Sequence, residues 1–181
     1  SALGEFPESL ELLKKAESCL TNFYNSDTFI EIKKIPVSDW ISLEEFLTFN
    51  LEENRIFLSI DFAIKKGDKI IIYDWKTGKE RSSEFDLQLT CYALYVSEKL
   101  GISPKNITAR IFNLSINKED TFEINEKKLI EMREYIKENI SKMKSFLEDT
   151  KNNVAKEEKF PKEEGFYCSR CNFKKICSGE W

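Results

Sequence analysis

Two rhythms of apolar spacing alternate along the chain. From position 56 to 64, Ile56, Leu58, Ile60, Phe62 and Ile64 alternate with Phe57, Ser59, Asp61 and Ala63, so a strand here carries an unbroken apolar row on one face and Asp61 on the other. Lys66-Gly67-Asp68 then reads as a turn, and Lys69-Ile70-Ile71-Ile72-Tyr73-Asp74-Trp75-Lys76 follows as a second strand with Asp74 and Lys76 on one shared face. Paired as a hairpin, the two strands bring Asp61, Asp74 and Lys76 together.

Helical spacing takes over on either side. Residues 7–24 form a helix with Pro7 in its first turn and Leu10, Leu13, Leu20 and Phe23 as an apolar stripe, while residues 84–100 form a second helix ended by Gly101. A third, residues 126–150, lines up Leu129, Met132, Ile136, Ile140, Met143 and Leu147 against a core. Residues 28–35 read as extended, 40–50 as either a short helix or a strand, and 106–116 and 121–124 as two more strands. The order strand, strand, helix, strand, strand, helix predicts an α/β fold with a mixed sheet flanked by helices.

Composition narrows the picture. A chain of 181 residues, 41% hydrophobic and 13% aromatic, suits one domain with a substantial core. The expected division is an N-terminal helix over 1–25, a core over 28–150 and a tail over 151–181. No apolar stretch approaches the roughly 20 residues that span a bilayer. With 28 basic against 32 acidic residues the net charge is −4, so any contact with nucleic acid is local rather than spread over a basic coat. The tail is one such place: Lys156, Lys159, Lys162, Arg170, Lys174 and Lys175 lie among Phe160, Phe166, Tyr167 and Phe173, a mixture that can hold phosphates and stack bases. Glu157, Glu158, Glu163 and Glu164 dilute it, and a solvated linker over 151–162 is the plainer reading.

The two aspartates carry the chemistry. Two carboxylates about 4 Å apart repel by roughly 4 kcal/mol at an effective dielectric near 20, more than one ammonium fully offsets. A divalent cation offsets it better, and magnesium takes one or two carboxylates, a backbone carbonyl such as that of Trp75, waters and phosphate oxygens. That points to phosphodiester hydrolysis. The plain alternative is a strand-end ion pair of Asp74 with Lys76 and a solvated Asp61.

Ser59-Ile60-Asp61, Tyr73-Asp74-Trp75-Lys76-Thr77-Gly78 and Gln88-Leu89-Thr90-Cys91-Tyr92 resemble the G-x-D, D-x-K-T-G and Q-x-x-x-Y motifs of the RecB-like branch of the PD-(D/E)XK nuclease superfamily. The resemblance implies a restriction-endonuclease-like sheet and a magnesium- or manganese-dependent deoxyribonuclease, an exonuclease acting on DNA ends or single strands. It implies Asp61, Asp74 and the Trp75 main chain as metal ligands, Lys76 as catalytic, and Gln88 and Tyr92 as residues that contact DNA or position the lysine. Ser59 replaces the usual glycine, and the chain has no histidine, which many members use as a further ligand. Glu17 or Glu45 is the candidate replacement; failing that, the domain is a non-cleaving DNA-binding or scaffold module.

Five cysteines stand at Cys19, Cys91, Cys168, Cys171 and Cys177. The C-x2-C-x5-C spacing of the last three is a metal-site signal that needs a fourth ligand from elsewhere. In CRISPR-associated exonucleases and helicase–nuclease domains of the same branch, one upstream and three C-terminal cysteines hold a 4Fe–4S cluster. The resemblance therefore implies Cys19, Cys168, Cys171 and Cys177 as ligands of a C-terminal cysteine-ligated metal staple, with zinc as the rival metal and a helicase or CRISPR-associated proteins as partners beside DNA. Cys19 packs equally well as a small apolar residue on its stripe, and Cys91 reads as a filler. An odd cysteine count, no recognisable signal peptide and Lys/Glu-rich composition predict a reducing cytoplasm rather than disulfides.

Overall fold

The isoleucine-rich runs become the centre of a five-stranded sheet in the computed structural model of the protein, which describes residues 7–78 and 82–179. The strands β1 (Trp40–Leu51), β2 (Asn54–Lys66), β3 (Lys69–Lys76), β4 (Ile107–Asn113) and β5 (Lys118–Glu123) lie in chain order. Neighbours are antiparallel except β3 and β4, which are parallel. A parallel pair needs a crossover, and α3 (Ser82–Leu100) supplies it. The hairpin turn and the end of α3 fall where expected, at Gly67 and Gly101, both in the left-handed region at φ 62° and 67°. The segment that read as helix or strand is β1.

Alternation along β3 feeds two layers. Ile71 and Tyr73 join Ile32, Phe62 and Ile64 in a buried cluster against which Ile35, Trp40 and Trp75 pack. Ile70, Ile72 and Asp74 occupy the other face, the one that carries α3. Each fully buried Ile or Leu contributes about 1.5–3 kcal/mol by leaving water, so this doubly covered strand anchors whatever stands at its end.

Three expectations need correction. The extended segment is instead the helix α2 (Asp27–Ile32), because Ser26 caps it: the Phe29 N–H donates to Ser26 Oγ at 3.0 Å. The β-branched and aromatic composition of Thr28, Phe29 and Ile30 masked that local signal. In α1 (Pro7–Tyr24) the apolar stripe is not core. Leu10, Leu12, Leu13 and Leu20 are exposed, and the helix is held through Cys19, which is buried, Asn22, whose amide donates to the Leu114 carbonyl at 2.6 Å, and Phe23, against Trp75 at 5.3 Å. In α4 (Glu126–Ser145) Leu129 and Met132 are buried, whereas Met143 is exposed and the helix ends before Leu147.

The chain divides into two units, Ser1–Glu134 and Tyr135–Trp181. The second holds the last turns of α4, a small ribbon of β6 (Leu147–Asp149) with β7 (Val154–Ala155), and the short helix α5 (Lys174–Ser178). None of its described residues is buried. Among the described residues no helix is long and apolar enough to cross a membrane.

Candidate metal centre at the fork between two strands

The β2–β3 ladder runs from Lys66–Lys69 to Phe62–Tyr73 and stops there. The next pair in register would be Asp61 with Asp74. In place of a further rung, the Trp75 N–H donates to Asp61 Oδ2 at 2.8 Å. A side chain thus takes over a backbone bond, and the strands part where the two acids face each other. The parallel β3–β4 ladder continues to Lys76–Asn113 and keeps the far side of β3 fixed.

Asp74 is the buried member, its side chain 1% exposed. Lys76 Nζ lies 2.6 Å from Asp74 Oδ2, yet Oδ1 has no hydrogen-bond partner among the described residues. Burial pushes the Asp74 carboxyl above the usual carboxylate range; the Lys76 ammonium pulls it back and the Asp61 charge adds to the rise. Lys76 is itself steered by α3. Its Nζ donates to Gln88 Oε1 at 3.0 Å, and Gln88 Nε2 donates to the Tyr92 hydroxyl at 2.6 Å. Gln88 and Tyr92 are one helical turn apart, so a single face of α3 supplies both. Burial pushes the Tyr92 hydroxyl up to about 12, which keeps it protonated at neutral pH.

Trp75 contributes its main chain, because its ring lies among Phe23, Tyr73, Phe62 and Phe112. Asn113 escaped the sequence reading. Buried at the end of β4, it donates to the Gly78 carbonyl at 3.0 Å while the Leu114 N–H donates to the Lys76 carbonyl at 2.7 Å, and the two bonds fasten the turn that follows the lysine. A polar residue closing the apolar run Ile107–Phe112 was the available signal.

An orphaned, buried carboxylate oxygen facing a second carboxylate suits a hard dication that takes few protein ligands. The expected third acid does not join it. Glu17 is exposed on α1, and Glu45 is exposed on β1. Among the described residues no group of three or more Asp, Glu, Cys or His side chains stands ready to hold a metal ion.

The thiols are divided between the units. Cys19 is buried in α1 of the first. Cys168, Cys171 and Cys177 line a cavity of about 280 Å³ in the second, shared with Lys162 and Lys174. Amide N–H groups of Gly165 and Phe173 point at Cys168 Sγ and Cys171 Sγ at 3.2 and 3.4 Å. Burial raises the Cys91 thiol, as befits a filler within α3.

A family model for the PD-(D/E)XK nuclease superfamily matches residues 13–178, which includes the fork, the Gln88–Tyr92 turn and the C-terminal thiols. The chain belongs to that superfamily. Comparison with individual curated proteins returned no match. PD-(D/E)XK proteins are generally metal-dependent nucleases, and the mixed sheet flanked by helices agrees with their restriction-endonuclease-like fold.

Proposed function

We propose that the chain is a magnesium- or manganese-dependent deoxyribonuclease of the RecB-like branch, an exonuclease that hydrolyses phosphodiester bonds at DNA ends or in single strands. The observation that carries this reading is the fork: a buried Asp74 with an unsatisfied oxygen, Asp61 fixed across from it, and Lys76 held against the pair by α3. Asp61, Asp74 and the Trp75 carbonyl would hold the ion, which when bound lowers the pKa of a coordinated water and stabilises charge on the scissile phosphate. The residues of the chain do the positioning. Asp61, locked by the Trp75 amide, cannot swing away from Asp74, so the carboxylates are oriented before any ligand arrives. Lys76 presents a cation beside them, aimed by Gln88, where negative charge develops on the phosphoryl oxygens. Tyr92 receives the Gln88 amide proton through its oxygen and keeps its own O–H for a phosphate or water.

Degradation of labelled single-stranded DNA in Mn²⁺ by the wild type and by Lys76→Ala tests the reading. The wild type cleaves and the variant loses at least a hundredfold in rate, the usual scale for removing a transition-state donor. Equal inertness of both favours the second reading, a DNA-binding or scaffold module that does not cleave, whose support is the lack of a third gathered ligand among the described residues.

The reading extends to the thiols. Cys168, Cys171 and Cys177 as ligands of a 4Fe–4S cluster is supported by their spacing, by the cavity the three share and by the two amides aimed at sulfur, and Cys19 as the fourth ligand comes from the family resemblance. Zinc is the rival occupant.

A further inference from the structure

Two contacts tie the end of α1 to the base of the fork. Cys19, Asn22 and Phe23 are spaced i, i+3 and i+4, so they share the covered face of α1 while Leu10, Leu13 and Leu20 stand exposed. Asn22 Nδ2 donates to the Leu114 carbonyl at 2.6 Å, and the Phe23 ring meets the Trp75 ring edge-on at 5.3 Å. Leu114 is the residue just past β4, and its own N–H donates to the Lys76 carbonyl at 2.7 Å. A side-chain amide on α1 therefore reaches the backbone of the lysine through one intervening residue.

Where that backbone points decides what the fork offers an ion. Along a strand the N–H and C=O of one residue point to the same side, and those of the next residue to the other. The Trp75 N–H turns toward β2, where Asp61 Oδ2 takes it, and the Lys76 carbonyl turns toward β4. The Trp75 carbonyl consequently faces β2, into the gap left where the β2–β3 ladder stops at Phe62–Tyr73. Fixing the Lys76 carbonyl on β4 is thus what aims the Trp75 carbonyl into the fork. That bond is at the end of the β3–β4 ladder, whose register closes at Lys76–Asn113, and ladder ends open most readily unless groups outside the strands hold them. Asn113 does so through the Gly78 carbonyl, and Asn22 through that of Leu114.

We propose that Asn22 is a positioning residue of the metal centre: by holding Leu114 it fixes the last bond between β3 and β4, and with it the direction of the Trp75 carbonyl and the base of Lys76. It touches neither ion nor substrate. Its part is that of an outer partner to a metal ligand, whose loss commonly weakens metal binding by roughly tenfold to a hundredfold. The consequence for cleavage rests on the nuclease reading, whereas the consequence for ion binding is measured without it.

Mn²⁺ binding to the full chain, followed by the electron paramagnetic resonance of the free ion well below every melting temperature, is the test. Asn22→Ala and Asn22→Asp, the second equal in shape but without the amide donor, raise the dissociation constant on the order of tenfold and shift the Mn²⁺ concentration for half-maximal cleavage by the same factor. Ile107→Val, buried at the opposite end of β4, lowers the melting temperature without moving the Mn²⁺ affinity. The proposal is overturned if the wild type holds no Mn²⁺, if the Asn22 variants bind it as the wild type does, or if Ile107→Val loosens the ion as much as they do. Unaltered Mn²⁺ affinity in Asn22 variants of a chain that cleaves removes the positioning role and leaves the enzyme reading standing. An ion held tenfold more loosely by the variants of a chain that never cleaves does the reverse.

Discussion

The acid fork and the cysteine tail are both candidate metal centres, and they are built in opposite ways. The fork closes a strand buried on both faces, so Ile70, Ile72 and Tyr73 hold Asp74 in place whether or not an ion is present. The three tail thiols sit in a unit with no buried described residue, where Phe166, Tyr167, Phe173 and Ile176 are all exposed. A site of the first kind is preorganised by packing and bears the electrostatic cost of its own geometry. In a site of the second kind the ligand is itself the missing core, because metal binding and folding are one equilibrium when no apolar cluster precedes them.

The sharpest way to break that contrast is to remove packing from each. Ile72→Ala, at a position with no solvent exposure, destabilises the first unit by about 2–5 kcal/mol. Ile176→Ala, 56% exposed, changes metal-free stability by less than about 0.5 kcal/mol. Urea melts followed by tryptophan fluorescence compare them. A large loss from Ile176→Ala shows that the tail has a core of its own.

Loading the thiols sharpens the contrast from the other side. Anaerobic reconstitution with iron and sulfide is expected to give a brown protein in which amide exchange slows in the tail while β3 is unchanged, and Cys171→Ser remains colourless. Colourless wild-type protein holding one zinc per chain replaces the cluster with the rival metal. Tail exchange that ignores every metal removes the idea that the ligand serves as its core.

The smallest effect concerns Asp74 alone. Its carboxyl is raised by burial in the folded state, so its protonated form is the one that folding favours. That contribution is complete below the unfolded value of about 3.9 and is lost as pH rises through the higher folded value. Metal-free Asp74→Asn therefore melts above the wild type at neutral pH, and the gap closes on acidification. A gap that widens toward acid contradicts the sign.

Much of the fork was legible in the chain because its signals are local. Alternation set the faces of β2 and β3, Gly67 and Gly101 marked the ends, and the spacing of Gln88 and Tyr92 put them on one side of a helix. What was not legible depends on partners. Periodicity shows that α1 is amphipathic without saying which turns meet the sheet, so Leu10, Leu13 and Leu20 of its stripe stay exposed. The Ser26 cap outweighed strand-like composition in α2. Nor does alternation reveal where a ladder stops: the fork exists because the Asp61 side chain takes the Trp75 amide, and Asn113 holds its far edge through a bond across 35 residues.

Melting temperature at neutral pH, measured for the wild type and Asp74→Asn with and without excess Mn²⁺, tests most directly whether the fork gathers its acids around a dication. Mn²⁺ at about a hundred times its dissociation constant stabilises the wild type by about 2.7 kcal/mol and leaves Asp74→Asn where it was. Equal stabilisation of both proteins, or none in the wild type, contradicts the account.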